Sequence, residues 1–245
     1  DAPPGLFAAE ARGLDALRAA ADGLVVPRAL AWAEAEGGAP AWLALEWLEP
    51  SRRAPDFAER LGRGLAALHR VGRDEGWGWI EDNFIGPLPQ GNAPAWSWAE
   101  FWRTRRLEPQ LDLARRGGRM PGKAAEWERL MDRLPQLLAP AEADGPSLLH
   151  GDLWGGNVLA APGGPAVIDP AVYRGHREAD LAMTELFGGF GDGFHAAYRE
   201  AWPLQPGYPA RRAVYQLWYL LIHVNLFGGG YGAQAAAVLR EALAG

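Results

Sequence analysis

The chain has 245 residues, of which 49% are hydrophobic and 22% charged, and it contains no cysteine. Such a chain can bury a large core in one or two domains, and the absence of cysteine excludes a disulfide scaffold and thiolate metal sites. Its net charge of −6 gives no general attraction to nucleic acid, so we expect no nucleic-acid partner.

The first residues lack the charged and apolar pattern of a secretory signal. The longest apolar run, residues 213–227, is interrupted by polar side chains and is short for a bilayer, so it predicts a buried helix. We therefore expect a cytoplasmic protein without a membrane partner. The sequence does not indicate an oligomeric state.

Helix and strand patterns alternate over the first 70 residues. A helix is predicted first, from the spacing of Phe7, Glu10, Leu14 and Leu17. Two strands follow at residues 28–35 and 41–48, joined by a glycine turn at residues 36–38. A second helix begins at Asp56 and ends near His69, which we interpret as a structural histidine.

The middle of the chain contains a long segment, residues 76–92, that is rich in Gly, Pro and aromatic residues and has no periodicity. Loops of this kind are often functional, so either Asn83, Gln90 and Asn92 border a substrate site or the segment is a solvated connection.

Two helices are predicted after this loop. Ser97 and Glu100 have the spacing of a capping box at the start of the first. A set of arginines on this helix, which either binds an anion or forms a solvated face, comprises Arg103, Arg105 and Arg106. The second helix is expected near residues 123–138.

Residues 150–169 carry the strongest functional signal, because they follow the spacing H-x-D-x-x-x-x-N of the protein-kinase catalytic loop, with Gly151 in place of its arginine. Asp152 is placed to accept a proton from a substrate hydroxyl. Asn157, and Asp169 at the end of an apolar strand, are placed to bind Mg²⁺. The pattern predicts a small-molecule kinase that uses ATP and Mg²⁺. Further helices are predicted near residues 178–187, 194–201, 211–227 and 233–243.

Residues 150–157 (HGDLWGGN) and 168–182 (IDPAVYRGHREADLA) resemble the fructosamine kinase family, which belongs to the aminoglycoside-phosphotransferase-like kinases. Features that resemble the ketosamine branch are Trp154, the sequence Asp169-Pro-Ala, and Phe187-Gly-Gly-Phe190. The resemblance covers nearly the whole chain. It implies an α+β, two-lobed protein-kinase-like fold, with residues 1–48 as the remainder of a small N-lobe and residues 49–245 as a mostly helical C-lobe.

The resemblance also implies an activity, which the residues alone do not supply. The family transfers the γ-phosphoryl group of ATP to the C3 hydroxyl of a ketosamine, and the product then releases its amine, so that proteins are deglycated. Ribulosamines, erythrulosamines or fructosamines, free or protein-bound, are the implied substrates.

Several residue roles follow from the same resemblance. Glu10 would be the helix glutamate that pairs with a nucleotide-binding lysine. The Glu46 carbonyl and the Leu48 amide would bind adenine. His150 would brace the catalytic loop by hydrogen bonds, and Asp180 would fix the loop through its backbone amides.

The lysine partner of Glu10 is missing, because Lys123 is the single lysine of the sequence, and no G-x-G-x-x-G occurs. Either the sequence lacks an N-terminal piece of roughly 30 to 50 residues, about a glycine-loop hairpin and one strand, or the protein has lost the usual ATP clamp. We favour the first explanation.

Other polar and aromatic residues are candidates for the substrate site. Trp154 is expected to stack on the substrate or to exclude water. His223 and Asn225 either reach the cleft or satisfy each other, and His176 is either near the metal or structural.

Three other functions are compatible with parts of this pattern. A related kinase would phosphorylate an aminoglycoside, choline or homoserine. A pseudokinase would bind without transferring phosphate. A metal hydrolase would use the two histidines His150 and His176 with the aspartates, but Asn157 argues against it.

Overall fold

The computed structural model describes residues 2–73 and 75–244 of the chain. Its N-terminal part contains a helix, an antiparallel strand pair and a second helix, which are α1 (Leu6–Ala20), β1 (Ala29–Ala33), β2 (Trp42–Leu45) and α2 (Phe57–Leu68). The predicted turn is present, because Gly37 and Gly38 both have positive φ, 58° and 87°, as a type I′ hairpin turn requires. The paired segments are shorter than predicted, and the ladder contains an irregularity between Ala29 and Ala31.

The segment predicted as an irregular loop contains a short hairpin of β3 (Asn83–Ile85) and β4 (Leu88–Gln90). Strands of three residues are too short to show an alternating pattern. The hairpin contacts α1 and therefore forms a wall next to the N-terminal part.

A continuous helical stretch follows, made of α3 (Trp98–Phe101), a π-helix (Trp102–Leu107) and α4 (Glu108–Arg116). The Ser97 hydroxyl accepts the Glu100 amide at 3.1 Å. The return bond differs from a capping box, because the Glu100 carboxylate accepts the amide of Trp96. The next helix, α5 (Ala124–Asp144), is longer than predicted, since it continues through Pro140, a residue that ordinarily ends a helix.

The remaining elements surround the predicted catalytic segment. Two antiparallel strand pairs, β5 with β8 and β6 with β7, are followed by four helices. Their bounds are β5 (Ser147–Leu149), β6 (Val158–Ala161), β7 (Gly164–Val167), β8 (Tyr173–Gly175), α6 (Glu178–Leu186), α7 (Asp192–Ala201), α8 (Tyr208–Phe227) and α9 (Tyr231–Ala244). A 3₁₀ turn, Gly155–Asn157, precedes β6. The mixed α+β architecture with a mainly helical C-terminal part is confirmed. Across residues 2–73 and 75–244, no helix combines the length and apolar character needed to cross a bilayer.

In the described residues, two large apolar clusters and a small one of three buried side chains form the core, and the two large ones position the site. One lies among the C-terminal helices and contains fully buried Trp98 and Trp102. The other joins Leu14 of α1 to Leu61 of α2 and Phe194 of α7. Because α1 shares this second cluster with the helical part, burial of apolar surface fixes its position against the catalytic segment.

Candidate active site

The loop that carries Asp152 leaves the end of β5 in a conformation that its flanking residues determine. Gly151 has φ of +84°, and a Cβ there would lie 2.0 Å from the carbonyl oxygen of Ala171. The Ala171 amide donates to the His150 carbonyl at 2.8 Å. The loop therefore runs against the segment that follows Asp169, and the second motif position is restricted to glycine.

His150 is fully buried and braces this loop as predicted. Its Nε2 lies 3.0 Å from the Ile168 carbonyl, and its Nδ1 accepts the Asp152 amide at 3.3 Å. A carbonyl can only accept, so Nε2 carries the proton. Burial lowers the pKa of His150, which keeps the ring neutral and suited to a structural role.

Asp180 makes the loop contacts that the resemblance implies. Its two carboxylate oxygens accept the backbone amides of His150 at 2.8 Å and Gly151 at 2.9 Å. His69 donates to the same carboxylate at 3.1 Å and bonds the Tyr198 hydroxyl at 2.8 Å. Burial raises the pKa of Asp180, but the hydrogen bond from His69 and the other donors outweigh it, so the pKa is lowered. Asp180 is therefore an ionised anchor for the loop.

Asn157 joins the two predicted acids. Its amide nitrogen donates to the Asp152 carbonyl at 2.9 Å and to the Asp169 carbonyl at 3.3 Å, and it lies 3.4 Å from the Asp152 carboxylate. Because the side-chain nitrogen of Asn157 makes these hydrogen bonds, its side-chain oxygen is left to accept a hydrogen bond or to bind a cation. Asp169 has φ of 53°, a left-handed conformation that is uncommon outside glycine.

Glu10 of α1 lies on the same cleft as these acids. A pocket between α1 and the β3–β4 hairpin is lined by Glu10, Asp152 and Asp169, with Asn83 on the hairpin side. Burial and the charge of Asp169 raise the pKa of Glu10 to about 7. Burial, then the charges of Asp169 and Asp180, raise the pKa of Asp152 to about 7. The cleft thus concentrates negative charge.

This donor set fits a hard divalent cation. Carboxylate and amide oxygens are its preferred protein ligands, and burial together with the neighbouring charge of Asp169 raises the pKa of both Asp152 and Glu10. Within the described parts of the chain, no three His, Cys, Asp or Glu side chains form a complete metal cage. A site built from Asn157 and Asp169 would leave positions open for phosphate oxygens, as Mg²⁺ sites commonly do.

A larger cavity of about 520 Å³ opens beside Asp152 and Asp169. Trp154 and His223 line it, so both residues lie where a substrate contact was predicted. The Trp154 indole lies over Gly156, since a Cβ there would be 2.2 Å from the ring. Glycine at position 156 therefore allows the indole to lie flat against the backbone at the cleft mouth.

Asn225 does not belong to this cavity. Its side-chain nitrogen donates to the Gln110 carbonyl and side-chain oxygen at 3.0 and 2.8 Å. His223 instead bonds the carbonyl of Tyr219 at 2.8 Å. The two residues neither share the cleft nor satisfy each other, because they lie two positions apart on α8 and so face different directions.

Three other polar residues considered for the site, His176, Gln90 and Asn92, are buried and make hydrogen bonds inside the protein. His176 is fully buried and bonds Tyr215 and Asp144, which makes it structural. Gln90 and Asn92 are internal, and both donate to the Asn83 side-chain oxygen at 2.8 Å.

Arg106 is the residue that sequence reasoning missed. It is fully buried and donates to the Gly91 carbonyl and the Asn92 side chain, both at 2.7 Å. The sequence predicted that this arginine either binds an anion or lies on a solvated face, and its burial and internal hydrogen bonds fit neither prediction. Its only sequence signal was its place four residues after Trp102, the second member of an aromatic pair on a helix with a buried face.

The predicted hinge follows β2. The Glu46 amide donates to the Arg28 carbonyl at 2.8 Å, so the backbone ladder uses the N–H of Glu46 and leaves its carbonyl for another partner. The Glu46 side chain accepts the Arg28 amide, and this bond lowers the pKa of Glu46.

The fold and the site together define a kinase of the protein-kinase-like class. A candidate aminoglycoside phosphotransferase from Ralstonia eutropha has the same fold, with a TM-score of 0.60 at 20% identity over 99% of this chain and 85% of that chain. The profile of the fructosamine kinase family matches residues 3–245, and the chain belongs to that family.

Individual relatives agree with this assignment. The crystal structure of a candidate fructosamine-3-kinase from Thermobifida fusca has a TM-score of 0.88 at 42% identity, covering 100% of this chain and 82% of that chain. A probable ketoamine kinase of Synechocystis is 44% identical over 97% of this chain and 79% of its own length. A chloroplastic protein-ribulosamine 3-kinase of Arabidopsis thaliana is 36% identical over 98% of this chain and 73% of its own length.

Proposed function

We propose that this chain is an ATP- and Mg²⁺-dependent kinase that phosphorylates the C3 hydroxyl of a ketosamine, free or protein-bound. The observation that carries the proposal is the convergence of Asp152, Asn157 and Asp169 on one cleft in a member of the fructosamine kinase family. The names of the relatives, ketoamine kinase and protein-ribulosamine 3-kinase, support the acceptor class. Release of the amine afterwards would make the reaction a step of protein deglycation in the cytoplasm.

Asp152 is proposed as the general base. A carboxylate with pKa near 7 is close to the operating pH, where base catalysis is most effective. In the transfer step the C3 hydroxyl proton passes to Asp152 and the C3 oxygen forms a bond to the γ-phosphorus. The bond from that phosphorus to the ADP oxygen breaks. The Asn157 amide, 3.4 Å from the Asp152 carboxylate, orients the base.

Asn157 and Asp169 are proposed to hold Mg²⁺, which neutralises charge on the phosphates when bound. Glu10 would support the nucleotide from α1, consistent with its place beside Asp169. The Glu46 carbonyl and Leu48 amide would bind the adenine edge. Trp154 and His223 would contact the acceptor, and His150 and Asp180 would hold the loop.

The proposal is tested by measuring ATP consumption with Mg²⁺ on a ribose–lysine ketosamine, with an aminoglycoside as the comparison acceptor. We expect turnover on the ketosamine and a loss of about 10²- to 10⁴-fold in kcat for Asp152→Asn, the usual contribution of a general base. Exposed Asp132→Asn, on α5, serves as the matched control.

Three results would contradict the proposal. Turnover on the aminoglycoside alone would change the acceptor class. Nucleotide-dependent thermal stabilisation without turnover would indicate a non-catalytic binding protein. Full activity of Asp152→Asn would remove the base from the mechanism.

A further inference from the structure

The cavity beside Asp152 ends in a group of aromatic rings, here called the aromatic wall. It consists of Phe187, His223, Phe227 and Tyr231. The His223 ring packs against the other three, with ring centroids 4.6 Å from Phe187, 5.5 Å from Phe227 and 4.9 Å from Tyr231. The wall is therefore a packed cluster and not a set of isolated side chains.

The aromatic wall faces solvent although it is apolar. Phe227 is 67% exposed and Phe187 is 37% exposed. Exposed apolar rings at the rim of a concave cavity are typical of a ligand contact. The cavity joins them to Asp152, so a molecule bound at the base can extend to the rings.

The charges around the wall favour a cation. Among the described residues that line the cavity, the charged ones are Asp152 and Asp169, and no Arg or Lys is present. Burial lowers the pKa of His223, which leaves the ring at the centre of the wall neutral. Ring faces carry partial negative charge and attract ammonium groups. Because Asp169 is proposed to hold Mg²⁺, the Asp152 carboxylate and the ring faces are the groups that act in this direction.

We propose that Phe227 and Tyr231 bind the protonated amine of the acceptor and so determine which amines the enzyme accepts. This inference rests on the proposed function and deepens it. In a ketosamine the nitrogen is attached to C1, two carbons from the C3 hydroxyl, and an alkylamine is protonated at neutral pH. With C3 at Asp152, the shared cavity gives the nitrogen and its substituent a path toward the wall.

A set of three acceptors isolates the contribution of the positive charge. The first is the ketosamine of ribose and butylamine. The second is its ether analogue, with oxygen in place of the amine nitrogen. The third is the ketosamine of 4-aminobutanoate, which adds a carboxylate. We expect affinity to fall in that order, because the described residues that line the cavity supply the Asp152 carboxylate and ring faces but no Arg or Lys to pair with the carboxylate of the third compound.

The variants are Phe227→Leu and Tyr231→Leu, which keep an apolar side chain, and Tyr231→Phe, which keeps the ring. Exposed Trp96, 97% accessible and outside the cavity, provides Trp96→Leu as the matched control. Each leucine variant is expected to raise KM and Kd for the butylamine ketosamine about two- to fivefold, with kcat and the ether affinity nearly unchanged. Tyr231→Phe, which keeps the ring, should bind the butylamine ketosamine more tightly than Tyr231→Leu does. Trp96→Leu should behave like the parent chain.

Affinity is measured by calorimetry as well as by turnover, which separates the two proposals. Ring-dependent binding of the amine without any phosphorylation would overturn the proposed function and leave the aromatic wall intact. If the leucine variants lose the same affinity for the amine and for its ether analogue, the wall contributes only apolar contact and does not recognise the charge. That result would overturn the inference. Unchanged affinity of both leucine variants for the butylamine ketosamine would also overturn the inference.

Discussion

Gly151 shows how one residue sets the position of the proposed base. The protein-kinase motif has arginine at this position, whereas here the backbone is left-handed and passes within contact of Ala171. Any Cβ would meet that carbonyl oxygen, so the loop would have to move away from the segment that carries Asp169.

We therefore expect Gly151→Ala to lower the free energy of unfolding by at least about 2 kcal/mol and to reduce kcat as well. Urea denaturation and ATP turnover measure the two effects. Gly118→Ala is the matched control, because Gly118 has φ of +63° with open space around it. The control should lose only about 1 kcal/mol. Equal losses in the two variants would show that backbone conformation alone, and not the contact with Ala171, restricts position 151.

Sequence reasoning at this scale predicted which residues of the catalytic loop lie together, and their chemical roles stay predictions. His150, Asp152, Asn157 and Asp169 were found from one motif and lie together in the structure. It failed for Asn225, since a polar residue in an apolar run reveals that it needs a partner but not which face of the helix it occupies.

The π-helix places Arg106 in the core of the C-terminal part. A π-turn holds more residues than an α-turn and shifts the faces of the side chains that follow. The Arg106 guanidinium lies 3.9 Å from the Tyr173 ring centroid and 4.6 Å from that of Phe101. Three arginines within the four positions 103–106 are typical of a solvated helix face, which explains why the sequence did not predict the burial of Arg106.

Arg106 also supports the wall of the cleft. It donates to Asn92, which donates to Asn83, and the Asn83 amide donates to the Val172 carbonyl at 2.7 Å. These bonds connect the π-helix to the β3–β4 hairpin and to the backbone that follows Asp169. The hairpin thus owes its place to a buried polar network rather than to its two short strands.

Replacing Arg106 by lysine should therefore destabilise the fold by about 2 to 4 kcal/mol, because an ammonium cannot stack on the rings or reach both oxygen acceptors. Urea unfolding measures the change. Arg116→Lys, at an exposed position at the end of α4, is the control and should stay within about 0.5 kcal/mol. Similar stability of the two variants would show that the network contributes little.

At the scale of the molecule, acids from distant parts of the chain meet in one cleft. Glu10 comes from α1 and Asp169 from the end of β7, and the shared apolar cluster of α1 holds them close. The family resemblance implied that Glu10 lies near the nucleotide site, but the packing of α1 is what shows that Glu10 lies on the same pocket as Asp169.

This arrangement predicts a pH-dependent stability. The folded pKa of Glu10, about 7, is above its ordinary value of 4.5. Folding therefore favours the protonated acid, and the resulting stability is complete below pH 4.5 and lost as pH rises through 7.

In metal-free buffer, Glu10→Gln should exceed the parent chain in stability at pH 8 by about 1 to 2 kcal/mol, allowing for partial exposure. The difference should vanish near pH 4.5. Thermal unfolding at the two pH values measures it, with exposed Glu128→Gln as the control. A difference that is the same at both pH values would exclude titration of Glu10 as its cause.

The indole of Trp154, resting on Gly156 with 43% of its surface exposed, gives the cleft an optical signal of its own. Buried tryptophans such as Trp98 and Trp102 emit from an environment that a ligand in the cleft does not alter. Trp154 loses water contact whenever the cavity fills, so its emission shifts to shorter wavelength. The fluorescence difference between the chain and Trp154→Phe thus reports acceptor entry directly, before any phosphate is transferred.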